Sequence, residues 1–279
     1  MKYILRCFCL CLFLSCFYSC SKDENYDSNN FATGIVELPA LRNGANDVFI
    51  SHSTTFNGKK VTSFSIEYDK SKKHSRWVAF RFDNLTKQQN VSRVDKFEPD
   101  PSIEEEYQRV HADFGKRGYN RGHICASHDR LYSREVNEQT FYYTNMTPQT
   151  YDFNSGVWLD LEKKVQSWGR SCTAADTLYV VKGGTIDKEE QIKEYINGDR
   201  SKPVPKYYFM ALLFKKGESF KAIAFWTDHD NPSAKPVDCA LSIDELEEKT
   251  GIDFFPNVND KLENALEATY STKAWPGLE

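Results

Sequence analysis

Tyr119-Asn120-Arg121-Gly122-His123, Thr144-Asn145-Met146-Thr147-Pro148-Gln149 and Phe153-Asn154-Ser155-Gly156-Val157-Trp158-Leu159-Asp160-Leu161-Glu162 are the three blocks that decide how this chain folds. Phe141 to Thr147 reads as a short strand, so the second block begins where that strand ends. Val157, Trp158, Leu161 and Val165 fall on one stripe at 3.6-residue spacing, which predicts a helix over 156–168 with its apolar face inward. Asn154 then stands at the opening of that helix, where an asparagine side chain can cap free backbone N–H groups. Glu162 lies two turns further on. A histidine behind a glycine, a strand running into Thr-Asn, and an Asn and a Glu framing one helix form an unusual set.

Outward from these blocks, Val61 to Tyr68 and Arg76 to Phe82 are rich in β-formers and separated by a charged turn, so they read as a hairpin. Asn84 to Arg121 is polar, carries Pro99 and Pro101, and reads mostly as loop with one short helical segment around Ile103 to His111. A connection of that length in a folded domain is usually functional. Asp176 to Lys182, Lys206 to Phe214 and Phe220 to Trp226 read as strands. Ser242 with Glu245 three residues on forms a capping box for a helix that Gly251 stops. Asp260 to Thr269 reads as a last helix. Strands, a long loop, a helix, more strands and then helices predict an α+β domain around a mainly antiparallel sheet.

The blocks resemble the DNA/RNA non-specific endonuclease family, the endonuclease G-like enzymes of the ββα-metal (His-Me finger) fold. That family carries D-R-G-H, then T-N-x-x-P-Q, then N-x-G-x-W-x-x-L-E; the second and third stand here in full. The likeness extends over roughly Ser65 to Val258 and includes Tyr179-Val180-Val181-Lys182-Gly183-Gly184 and Gly251-Ile252-Asp253-Phe254-Phe255-Pro256. The resemblance implies that His123 is the catalytic general base, Asn154 the metal ligand, and Glu162 the group that supports the metal's water shell. It further implies that Arg93 faces the phosphate. Mg²⁺ is the implied cofactor, with Mn²⁺ as an accepted substitute. DNA and RNA are the implied substrates, cut to leave 5′-phosphate ends. Two positions depart from the pattern. Asn120 stands for the leading Asp, and Gln166 for an arginine that some members carry one turn after the Glu.

The residue types suit that chemistry independently. A neutral imidazole can take a proton from water near pH 7. Mg²⁺ prefers oxygen ligands and keeps several waters, so one amide oxygen is a sufficient anchor and adds no charge to repel a phosphate. An arginine at the phosphate stabilises the developing charge. Bland alternatives stay open at this point. His123 can be a structural histidine, Asn154 a plain cap, and His123-x-Cys125-x-x-His128 a fragment of a zinc site.

The whole chain holds 36 basic and 40 acidic residues in 279, a net charge of −4. Nucleic-acid binders are usually basic, so the positive charge must be concentrated locally. Arg109, Lys116, Arg117, Arg121, Arg130 and Arg134 cluster around the first block, and Arg121 and Arg130 are the expected substrate-binding pair. The balance and the two departures motivate a rival reading: a surface nucleic-acid-binding lipoprotein with a weak or inactive nuclease fold. A phosphodiesterase acting on a small substrate is a third.

Met1 to Cys20 carries Lys2 and Arg6 before a short apolar run, the pattern of a secretory leader. Ser19-Cys20 resembles the end of a bacterial lipoprotein signal, with Cys20 as lipid anchor; an ordinary cleaved leader is the alternative. Residues 21–34 read as a flexible tether and 35–279 as the endonuclease domain. Lys22-Asp23-Glu24 behind the anchor resembles a signal for export to the outer surface. The expected location is therefore the envelope of a Gram-negative bacterium, at the outer membrane or cell surface. Removing Lys2 and Arg6 leaves 34 basic residues against 40 acidic, a balance of −6. Beyond the leader and Cys20 only Cys125, Cys172 and Cys239 remain, which excludes a disulfide scaffold. The resembled family includes dimers, so a homodimer is a further expectation, though no interface signature stands in the sequence.

Overall fold

Strands that are apolar at consecutive positions need a cover on both faces, and several strands here are of that kind: Leu178-Tyr179-Val180-Val181 and Met210-Ala211-Leu212-Leu213 are buried throughout. The computed structural model describes residues 32–115 and 118–279. The leader, Cys20, most of the tether, Lys116 and Arg117 lie outside the described residues.

In chain order the strands are β1 (Asp47–Phe56), β2 (Lys59–Asp69), β3 (His74–Phe82), β4 (Asn120–His123), β5 (Met146–Gln149), β6 (Asp176–Gly184), β7 (Ile192–Tyr195), β8 (Pro203–Pro205), β9 (Tyr207–Lys216), β10 (Ser219–Asp228) and β11 (Ala240–Leu241). The helices are α1 (Arg134–Gln139), α2 (Tyr151–Ser155), α3 (Val157–Arg170), α4 (Ile243–Thr250) and α5 (Asp260–Glu267). Seven strands form one sheet in the order β1-β2-β3-β6-β9-β10-β11, and every pairing in it is antiparallel. The expected hairpin is β2–β3. β1 had no expectation attached to it.

One face of the sheet packs Phe64, Ile66, Phe80, Val180, Met210 and Leu212 against Trp158, Leu161 and Val165 of α3. Each such side chain contributes about 1.5–3 kcal/mol by leaving water. The other face packs Trp77, Val181, Phe209, Ala211 and Leu213 against Leu246 of α4, Phe254 and Leu262 of α5. The sheet is therefore covered on both sides, with α3 on one and α4–α5 on the other. Among the described residues no helix is long and apolar enough to cross a membrane. Cys125, Cys172 and Cys239 are all free and buried.

Three local expectations need correction. Helix 156–168 is preceded by a separate short helix, and the break falls at Gly156 (φ −99°, ψ −122°). Asn154 sits in the last turn of α2, so it does not cap α3. The break requires glycine, since a Cβ at position 156 would collide with the carbonyl oxygens of Pro232 and Asp152. The strand expected over Phe141 to Thr147 starts only at Met146, behind a turn of 3-10 helix at Tyr143–Asn145. Where a helical segment was expected around Ile103 to His111, the described residues form 3-10 turns at Glu105–Tyr107 and His111–Asp113. The capping box of α4 forms as expected: Ser242 Oγ accepts from Glu245 N (3.1 Å) and Glu245 Oε2 from Ser242 N (2.8 Å). Gly251 ends that helix at φ +70°.

Candidate active site

The two-stranded ribbon β4–β5 places His123 opposite Met146, Gly122 opposite Thr147 and Asn120 opposite Gln149. Gly122 has to be glycine, because a Cβ there would run into the Gln149 side chain. Behind the ribbon, Asn145 donates to Cys125 O (2.9 Å) and Thr140 O (2.7 Å), and its Oδ1 accepts from Cys125 N (2.9 Å). Asn137 does the same for the next loop, donating to Ser127 O and Arg130 O and accepting from Val94 N. Helix α3 is tied to the histidine directly, since the Trp158 indole donates to His123 O at 3.3 Å.

The His123 ring stands edge-on to Phe141, with centroids 4.8 Å apart, and 5.8 Å from Phe97. It is only 9% exposed, and its Nε2 is buried without a hydrogen-bond partner among the described residues. Burial, then the positive charges of Arg93 and Arg121, push its pKa down to about 3. The ring is neutral well below pH 7. It opens into a cleft of about 270 Å³ that Arg93, Arg121, Ser127, His128, Asn154 and Glu162 also line.

Arg93 is held there by Ser127 Oγ (2.8 Å) and Asp95 Oδ1 (2.9 Å) and lies over the Phe141 ring. Arg121 lies 3.6 Å from the Phe97 ring centre and contacts His111 Nδ1 at 2.9 Å. Glu162 is buried beside a charged network. Lys182 Nζ pairs with Asp129 Oδ2 (2.8 Å), and Gln166 donates to Asp129 Oδ1 (3.0 Å). Burial raises the Glu162 pKa, and the facing Lys182 opposes that rise.

The structure thus brings together His123, Arg93, Arg121, Asn154 and Glu162. Two expected site residues are not with them. Arg130 is fully buried, its guanidinium 4.3 Å from the Phe80 ring centre and 5.1 Å from that of Phe82. It cannot touch a nucleic acid in the cleft. Asn120 lies three residues before His123 on one strand, so alternation sends their side chains to opposite faces, and it does not line the cleft. Arg109 of the expected basic cluster is likewise buried, donating to Lys73 O and Pro203 O. Arg134 is exposed and paired with Glu138. The zinc alternative is not built: His123, Cys125 and His128 form no common ligand set among the described residues.

Several members of the site escaped the sequence. Phe97 and Phe141 look like ordinary core aromatics, and Trp158 was read as core with no link to the histidine. Ser127 has no motif around it, and His128 has only the zinc-like spacing. Lys182 carried a signal that was passed over: a lone lysine inside an apolar strand must find a buried counter-charge.

The family model for DNA/RNA non-specific endonucleases matches residues 44–261. The chain belongs to that family. It is a nuclease, a hydrolase of phosphodiester bonds in nucleic acid. A nuclease of Nostoc sp. (strain PCC 7120 / SAG 25.82 / UTEX 2576) is 30% identical over 224 residues, spanning 74% of this chain and 75% of that one. Mitochondrial endonuclease G of Bos taurus is 26% identical over 211 residues, spanning 72% and 69%. The mitochondrial nuclease EXOG of Mus musculus is 24% identical over 225 residues, but this chain spans only 57% of its length. In three dimensions the endonuclease chain of an EndoG/EndoGI complex overlays with a TM-score of 0.62 at 20% identity, covering 76% of this chain and 89% of that one. At that identity the overlay establishes the fold, α+β of the endonuclease G type.

Nucleases of this family depend on a divalent metal ion, and the cleft fits one. Asn154 offers an amide oxygen with no hydrogen bond among the described residues, Glu162 offers a carboxylate, and no thiol competes. An all-oxygen donor set favours a hard cation.

Proposed function

We propose that this protein is a Mg²⁺-dependent endonuclease that cuts DNA and RNA without base preference outside the cytoplasm, with His123 as general base. The observation that carries this reading is the neutral, buried His123 ring sharing one cleft with Asn154, Glu162 and two arginines.

The residues divide the work as follows. Arg93 and Arg121 face the cleft and stabilise negative charge on the phosphoryl oxygens. Both are backed by aromatic rings, so the guanidinium planes stay fixed. His123 takes a proton from the attacking water, and its low proton affinity in the free protein rises as the phosphate's negative charge enters. The Trp158 bond to His123 O and the bracing by Asn145 hold the imidazole against the helix. Asn154 and Glu162 would hold the metal ion and its waters. Bound there, Mg²⁺ (or Mn²⁺) would act as a Lewis acid on the phosphoryl oxygen and stabilise the departing 3′ oxygen, leaving a 5′-phosphate. Contacts to phosphates carry no sequence information, which supports the lack of base preference.

Gln166, in place of the second arginine, is turned to Asp129 and is withdrawn from phosphate binding. The leader ending at Cys20 supports a lipid anchor, placing the domain at the envelope of a Gram-negative cell. A homodimer, which the family resemblance implies, is part of the same reading.

The test is circular plasmid DNA and, separately, RNA, incubated with the protein in Mg²⁺, in EDTA, and as His123→Ala. We expect nicking and linearisation that stop in EDTA and fall by about 10²-fold or more in His123→Ala. DNA that is bound but never cut, with Mg²⁺ or Mn²⁺ at any pH, would replace this reading by that of a surface nucleic-acid-binding lipoprotein. For the anchor, Cys20→Ser should move from the membrane to the soluble fraction. An unchanged distribution removes the anchor from the proposal.

A further inference from the structure

On the face of the sheet opposite the catalytic cleft, α4 and α5 pack over Leu213, Phe209 and Val181. We propose that these two helices carry a second cation site, taking a calcium-like divalent ion through Asp244, Glu247 and Glu267. Each residue offers one carboxylate oxygen, and the three oxygens lie within 4.8 Å of one another. Some point therefore lies within ~2.8 Å of all three oxygens, near the ~2.3–2.6 Å of calcium–oxygen ligation.

A second observation points to a ligand. Glu267 is only 8% exposed, and its Oε1 is buried with no hydrogen-bond partner among the described residues. A carboxylate oxygen out of water without a donor is costly unless a counter-charge meets it. The largest charges acting on it are of the same sign: Glu247, Glu263, Asp244 and Asp253. The Lys249 ammonium of α4 lies over the Trp226 ring, 5.5 Å from its centre. Such a cluster is neutralised either by protons or by a cation.

The donor chemistry selects the cation. All ligands are hard oxygens, which excludes thiophilic metals and disfavours zinc. Glu247 already accepts from Phe254 N through Oε1 (2.7 Å), so its ligand oxygen is set by the backbone and not by an octahedron. Asp244 is exposed and leaves open positions for water. Irregular, partly hydrated geometry suits Ca²⁺ better than Mg²⁺. With three protein oxygens the affinity should fall near 10⁻⁴–10⁻³ M, the range of extracellular calcium modules. The ion would tie α4, the turn at Phe254 and α5 into one unit.

The experiment is thermal melting of the EDTA-stripped protein at pH 7.5 with 0 to 10 mM CaCl₂, alongside a Tb³⁺ titration. Calcium is expected to raise Tm by about 3 °C or more. The rise should vanish in Glu267→Gln and in Asp244→Asn, and persist in Asn154→Ala, which alters only the cleft. Asp244 is exposed, so its variant keeps the test open if Glu267→Gln folds poorly. No calcium response in the wild type, or one that survives in Asp244→Asn, overturns the proposal. Loss of the response in Asn154→Ala alone would assign the calcium to the cleft and equally overturn it.

Discussion

His123, the proposed general base, shows how little of such a residue's behaviour is local. Its identity and its glycine neighbour are written in the chain, but its proton affinity comes from burial beside Phe141 and Phe97 and from the charges of Arg93 and Arg121; of these only Arg121 is on its own strand, and the rest arrive from two other segments. The sign of the consequence is definite. A base must be unprotonated to act, and the acid limb of kcat/KM reports its pKa in the free enzyme. Because that pKa is depressed, the limb should lie at least one pH unit below the ordinary histidine value of about 6.5. A pH profile of kcat/KM on an oligonucleotide at saturating Mg²⁺ measures it, and a limb at 6.5 or higher would exclude His123 as the group in this environment. The glycines were legible as motif letters only. What requires them is visible in the fold: the Gln149 side chain behind Gly122, and the Pro232 carbonyl behind Gly156. Arg130 is the opposite case. A basic residue seven positions after the histidine reads as phosphate binding, and only packing reveals that it lies on Phe80 and Phe82.

At the scale of elements, α3 joins fold to chemistry. Its apolar stripe was legible from spacing, and that stripe fills the core between the sheet and the cleft. Its polar edge was not legible as a network. Glu162 and Gln166 both turn to the buried Asp129–Lys182 pair, whose members come from a loop and from β6. Removing one partner of a buried pair leaves an uncompensated charge, at a cost of about 3–5 kcal/mol. Lys182→Met is expected to lose that much in urea unfolding and to reduce activity through Glu162. The double variant Lys182→Met, Asp129→Leu should recover part of the loss. A single-variant loss below about 1 kcal/mol would show that the pair is not dry. β1 escaped the sequence because it is an edge strand with few apolar residues. The strand expected from Phe141 begins five residues late, because Asn145 spends its side chain on the loop after His123. The α4 boundaries were legible because a capping box and a left-handed glycine are local signals.

Over the whole molecule, a chain with a net charge of −4 that acts on polyanions must bind them through few contacts. Of the expected basic cluster, Arg109 and Arg130 are interior and Arg134 is paired with Glu138, while Arg93 and Arg121 face the cleft. Two phosphate contacts imply that log(kcat/KM) falls with log[salt] with a slope of about −2. Arg93→Ala and Arg121→Ala should each make that slope shallower by about one. An alanine at Arg130 should lower stability and leave the slope unchanged; a change in slope there would return Arg130 to the substrate surface. The sequence by itself determined the α+β class, the family, and the identity of His123, Asn154 and Glu162 as candidates, because motif letters, strand composition and helix periodicity are properties of neighbours along the chain. Tertiary structure alone decided which arginines see solvent, where the helix breaks before Val157, how His123 is kept neutral, and that Asp244, Glu247 and Glu267 meet. Each of these depends on burial and on charges brought together from distant segments, and a linear sequence does not contain those distances.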